Sequence, residues 1–127
     1  MLKNILVISL VVFLRFCGPA YAEDGTGLDE ALNSFNSAIE SDPSNSESYF
    51  NRGNIYESKG MYDKAVSDYN RAIDLKPRYA EAFINRGVVY YKRGEFERAI
   101  LDYTKALELD PSYGEAYANI GLAYTKL

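Results

Sequence analysis

The residues best suited to chemistry in this chain recur instead of converging. Asn51-Arg52-Gly53 returns as Asn85-Arg86-Gly87, and Asn119 opens a third, imperfect copy at the same interval of 34 residues. An asparagine amide carries donors and an acceptor, so it can hold a peptide group without reading its side chain. An arginine fork fits a carboxylate. Neither is a catalyst alone. The chain has no histidine and a single cysteine, Cys17, so no Ser/His/Asp or Cys/His arrangement can form. Its carboxylates fall one per helical face, mostly near helix starts, where the dipole favours negative charge. EF-hand loops, phosphate-cradling glycine runs and zinc spacings are absent from the sequence. The residue types point away from an enzyme, a metal site and a bound cofactor.

The first 22 residues read differently from the rest. Lys3 precedes an apolar run of ten, Ile5 to Leu14, which Arg15 ends, and Ala20-Tyr21-Ala22 gives a small-x-small cleavage pattern. Ten residues are too few to span a hydrocarbon core. The segment is expected to be a secretory signal peptide cut after Ala22, with an uncleaved anchor as the alternative. Phe16 before Cys17 argues against lipidation. Cleavage removes two basic residues and no acidic ones, leaving 12 Lys+Arg against 18 Asp+Glu, a net charge of −6. The exported product, periplasmic or secreted, would keep no thiol. An acidic chain of this kind lacks the basic footprint that neutralises phosphates, so neither nucleic acid nor anionic lipid is an expected partner.

What must position the recurring residues is a repeat. Residues 46–79 and 80–113 share 13 identities in 34, where chance gives about two. Gly53, Ala65 and Ala72 match Gly87, Ala99 and Ala106, while Tyr49, Tyr56 and Tyr69 match Phe83, Tyr90 and Tyr103. Self-similarity at this period indicates stacked supersecondary units. Tyr49, Arg52, Gly53 and Tyr56 lie on one face of a helix, and Ala65, Tyr69, Ala72 and Ile73 on one face of a second. Gly60 and Gly94 fit the stop between them, Asp63 and Glu97 the next start, and Pro43, Pro77 and Pro111 the ends of the units. Six helices are expected, near 29–41, 45–58, 63–75, 79–92, 97–109 and 113–126, in an all-α solenoid of antiparallel helix-turn-helix units.

The pattern Tyr49-x2-Arg52-Gly53-x2-Tyr56, Ala65-x3-Tyr69 and Pro77, repeated as Phe83, Gly87, Tyr90, Ala99, Tyr103 and Pro111, resembles the tetratricopeptide repeat. The expected layout is a short flexible stretch at 23–28 and a repeat domain at 29–127. That domain divides into a half repeat 29–45, full repeats 46–79 and 80–113, and a half repeat 114–127. One departure is that Arg52 and Arg86 replace the family's leucine. Arg52 lies within a long side chain's reach of Asp68 across the hairpin, and Arg86 of Asp102. Where arginine gives way to Ile120 no second helix follows, and Ser34 stands at the aspartate's place. Structural ion pairs, clasped by Tyr56 and Tyr90, are the expected result; two independent surface charges are the alternative.

Asn51, Asn85 and Asn119 face away from the arginine stripe, on the side carrying Glu47, Glu81 and Glu115. The resemblance implies that first helices line a concave groove, and that asparagines there bind the backbone of an extended ligand. Asn54, Val88, Tyr91, Lys92, Leu122 and Lys126 would complete its floor and rim. A second possibility is that the asparagines are solvated surface residues inherited by duplication. Family members that clamp acidic chaperone tails use lysines and an arginine where this chain has glutamate, so a basic or neutral segment is the expected ligand. The expected function is therefore protein binding through the groove. The alternatives are a structural subunit that self-associates head-to-tail through its half repeats, as a homo-oligomer, or a piece of a longer repeat protein.

Overall fold

The computed structural model describes residues 25–127. The signal peptide expected at 1–22 lies outside the described residues. Six α-helices run through the described residues: α1 Thr26–Ser41, α2 Ser46–Ser58, α3 Tyr62–Leu75, α4 Ala80–Lys92, α5 Phe96–Leu109 and α6 Gly114–Tyr124. The first begins three residues before the expected position 29, so 26–28, assigned from sequence to a flexible stretch, are helical. The described residues fall in two units, 25–34 and 35–127. The described part of the first is the opening of α1, where Ser34 Oγ donates to the Glu30 carbonyl at 3.1 Å. The second unit holds everything that follows. No helix among the described residues is long and apolar enough to cross a membrane.

In the second unit α2 packs on α3, α4 on α5, and α6 on α5. Each tight turn rests on a glycine with positive φ, +72° at Gly60 and +78° at Gly94, a conformation that a Cβ disfavours. There Gly60 N–H donates to the Glu57 carbonyl and Met61 N–H to the Tyr56 carbonyl, closing α2. Asp63 and Glu97 lie in the first turns of α3 and α5, where their charge complements the dipole. The prolines at 77 and 111 stand two residues beyond the ends of α3 and α5. A proline there cannot continue the hydrogen-bond ladder.

Small residues let each pair approach. A Cβ at Gly53 would lie 2.8 Å from the Tyr69 ring, and one at Gly87 the same distance from Tyr103. Both rings are fully buried, beside Ala65 and Val89 in one cluster and Ala99, Ala106 and Ala116 in the other. At Gly121 the same Cβ would meet nothing within 4 Å.

Candidate first-helix interaction face

The arginines are fixed before the groove is considered. Arg52 Nε and Nη2 donate to the two Asp68 carboxylate oxygens, each at 2.7 Å, and Arg86 reaches Asp102 the same way at 2.8 and 2.7 Å. The aspartates are nearly buried, at 6% and 8% side-chain exposure, against 21% and 18% for the arginines. Each guanidinium lies against two rings, Tyr49 and Tyr56 for Arg52, Phe83 and Tyr90 for Arg86. The hydrogen bonds to the aspartates push both arginine pKa values up. The sequence reading missed the third partner. Arg52 Nη1 donates to Asn36 at 3.0 Å and Arg86 Nη1 to Asn70 at 2.7 Å. Asn36 and Asn70 are one period apart, which was the available signal. Each arginine thus ties its own second helix to the preceding one.

On the other stripe α2, α4 and α6 present Glu47, Asn51, Asn54, Glu81, Asn85, Val88, Tyr91, Lys92, Glu115, Asn119 and Leu122, with Lys126 in the turn after α6, and the structure divides them. Between α2 and α4, Asn54 Oδ1 accepts from the Tyr69 hydroxyl at 2.8 Å and from Asn85 Nδ2 at 2.8 Å. Lys92 is ion-paired with Glu57 across the same junction. Asn54, Asn85 and Lys92 therefore have partners inside the protein. Neither that Asn54-centred network nor Glu57 was singled out from the sequence. Both depend on how adjacent repeats cross.

One period on, the positions of the two acceptors are filled by other residues. Val88 stands where Asn54 does and Tyr91 where Glu57 does. Tyr91 packs edge-on against Phe96, with ring centroids 5.2 Å apart. Asn119, expected to line the groove and hold a ligand's backbone, is buried at 6% exposure, and its Nδ2 has no acceptor among the described residues. A buried donor left unpaired costs about 1–3 kcal/mol. Asn51 is half-buried, and Glu47, Glu81, Leu122 and Lys126 are exposed.

The electrostatics follow from glutamates beside buried phenols. Burial, then the Glu115 charge, pushes the Tyr103 hydroxyl up. Burial followed by Glu57 does the same to Tyr69, and burial with Glu47 and Glu81 takes Tyr79 to about 12. Tyr113 is raised by burial and by the neighbouring Glu81 carboxylate, with Glu115 contributing. Glu115 itself is exposed at its edge yet partly desolvated, which raises its pKa. The arrangement can hold hydrogen-bonding and cationic groups. Among the described residues no group of His, Cys, Asp and Glu is placed to hold a metal ion.

Comparison with known proteins places this geometry. Sequence models described as tetratricopeptide repeat or TPR repeat match residues 34–67, 53–94 and 80–113, an unbroken stretch from 34 to 113. No curated protein matched the chain. Among solved structures, that of MamA is 31% identical with a TM-score of 0.75, covering 78% of this chain and 58% of MamA. The chain thus spans little more than half of MamA's length. The first TPR of Spaghetti (RPAP3), solved with the HSP90 peptide SRMEEVD, is 29% identical over 80% of each chain, with a TM-score of 0.76. The TPR domain of Arabidopsis OM64 is 21% identical at a TM-score of 0.78, covering 81% of this chain and 85% of that domain, and shares the fold.

Proposed function

The chain belongs to the tetratricopeptide-repeat family, and from that premise we propose that it is a non-enzymatic interaction module holding an extended protein segment against α2, α4 and α6. The observation that carries this is the row of polar groups on the first helices, ending in Asn119, whose buried Nδ2 has no acceptor among the described residues. The similar RPAP3 domain, with its bound peptide, supports a peptide as the class of ligand. That peptide is acidic, whereas this row carries Glu47, Glu81 and Glu115, which favours basic or neutral segments here. Photo-crosslinking residues placed at Asn51 and Leu122 should capture partner, and the same reagent at Leu101, on the outer face of α5, should not. Adducts confined to Leu101 would remove the groove from the function. Export is part of the same reading: intact mass of protein recovered outside the cytoplasm should begin at Glu23, and a product retaining Cys17 would overturn it.

One observation favours a second reading, self-association. Gly121 is open where its counterparts each hold a tyrosine ring, and Tyr117 and Tyr124 beside it are exposed. A helix presenting an aromatic, as α1 presents Phe35, suits that face. Such a contact joins unlike surfaces and so builds rings or filaments. Sedimentation should then show association that Tyr124→Glu abolishes; a monomer at all concentrations would dismiss it.

A further inference from the structure

α6 packs on α5 as α4 packs on α3, but with much less to hold it. Ala80, Phe83, Ile84 and Val89 are all buried in α4, and one period on their places are taken by Gly114, Tyr117, Ala118 and Ala123. Phe83 is 8% exposed and Tyr117 58%, so the ring that anchors α4 is lost to solvent in α6. What α6 buries is Ala116, Asn119 and Ala123. The two alanine methyls remove little apolar area from water. Asn119 Nδ2 is buried with no acceptor among the described residues, which weakens the junction further.

The polar ties differ in the same direction. Arg86 of α4 reaches Asn70 of α3 as well as Asp102, and Lys92 reaches Glu57 of α2. Ile120 and Thr104 stand at the places of Arg86 and Asn70, and Lys126, at the place of Lys92, is exposed. The turn before α6 is better fixed. Ser112 donates its N–H and its Oγ to Asp110 at 3.0 and 2.6 Å, and Tyr113 hydrogen-bonds the Glu81 carboxylate. The seat beneath α6 is apolar, with Ala106 in one cluster with Ala116 and Tyr103.

We infer that α6 is a latch: it lifts off α5 as one unit about the turn at 110–113 while α2 to α5 stay folded, and each opening uncovers Ala106. Openings of this kind fall on elements with few buried apolar contacts. A latch differs from fraying, in which a helix unwinds residue by residue from one end. It does not depend on what the first-helix face binds.

Ala72 and Ala106 are counterparts, each at 0% exposure, one packed with Ala82 of α4 and the other with Ala116 of α6. Ala72→Cys and Ala106→Cys, each made with Cys17→Ser so that one thiol remains, are mixed with excess aromatic disulfide reagent under native conditions. Ala106→Cys should react at least about tenfold faster than Ala72→Cys, whose thiol waits on unfolding of the body. Asn119→Leu puts apolar volume in place of the unpaired donor, so it should slow Ala106→Cys about tenfold and leave Ala72→Cys unchanged. Amide exchange on the unsubstituted protein asks the same question without a cysteine. The protected amides from Ala118 to Tyr124 should share one opening equilibrium, more populated than that of α4. Equal reactivity of the two thiols, or exchange in α6 as slow as in α4, would overturn the latch. So would a gradient of exchange rising toward Tyr124, which is fraying. An Asn119→Leu protein that melts no lower than the parent, yet labels at Ala106→Cys as fast, would overturn the weak anchoring at Asn119 as the cause.

Discussion

The junction between α2 and α4 and the junction between α4 and α6 began as copies, and their divergence separates what packing demands from what it tolerates. Both keep the glycine under a tyrosine ring, the arginine forked onto an aspartate and the asparagine on the facing stripe. The glycine–ring and arginine–aspartate contacts lie within one hairpin, where a volume or charge error is felt at once. Contacts between hairpins are freer. The second copy has Val88 where the first has Asn54 and Tyr91 where it has Glu57, while Asn119 and Lys126 stand where Asn85 and Lys92 do. The first junction shares one acceptor, Asn54 Oδ1, between two donors; the second has a valine in its place.

The largest expected effect is loss of the fold in alkali, and it falls on both junctions together. Free phenols ionise near pH 10. Burial, with glutamates adding, holds Tyr69 and Tyr103 well above that value, and Tyr79 at about 12. Above about pH 10 the unfolded chain therefore binds fewer protons than the folded one, so stability is full below that pH and falls as it rises. Tyrosinate absorbance should show an early phase from exposed tyrosines and a late, cooperative phase that coincides with loss of helicity. Ionisation of every tyrosine in one early phase, with helicity intact, would deny that the rings are buried.

Next come the two ion pairs, which should be equal. Asp68→Ala or Asp102→Ala strands a part-buried guanidinium and should cost about 3 kcal/mol, the low end for such a loss because each arginine keeps an exposed edge. The matched geometry predicts matched costs in denaturant titrations. A pair worth under about 0.5 kcal/mol would belong with ordinary surface charges instead.

The glycines should break the equality. Alanine at Gly53 or Gly87 drives a methyl into a rigid ring at 2.8 Å, which overpacking makes worth about 1–3 kcal/mol. Gly121→Ala meets nothing and should gain about 0.5–1 kcal/mol from helix propensity. A loss at Gly121 would mean that the face is already occupied in solution.

How far the sequence could be read follows the same division. Helices, turns and the ring-on-glycine packing were legible because their spacing is set within a helix or across one short turn. Arg52–Asp68 was legible too, since counting from a turn centre at Met61 brings the two within a long side chain's reach. Asn54 with Asn85 was not, because side chains from successive repeats meet only at the angle the stack adopts. Asn119 was expected to line the groove, and its burial depends on how α6 packs on its neighbours, which spacing along α6 does not encode. The extra turn at Thr26 was missed although Leu28 continues the stripe of Ala31, Leu32 and Phe35, because Gly27 disfavours a helix there.

The smallest expected effect is the most direct probe of the difference between junctions, an exchange of the two residues that define it. Asn54→Val deprives the Tyr69 hydroxyl and the Asn85 amide of their shared acceptor, turning the first junction into a likeness of the second. The cost should be about 1–2 kcal/mol, since two partly buried donors lose a partner while a valine fills much of the volume. Val88→Asn does the reverse, offering Asn119 an acceptor and Tyr103 a place to donate. The gain should stay below about 1 kcal/mol, because desolvating the new amide offsets most of the hydrogen bonds it makes. The double exchange should return close to the parent, the two sites lying in separate networks. Thermal melts of the four proteins would measure this. Opposite signs would establish that one position governs whether a junction is closed, whereas losses at both would show that the second junction is already satisfied by water and gains nothing from an acceptor of its own.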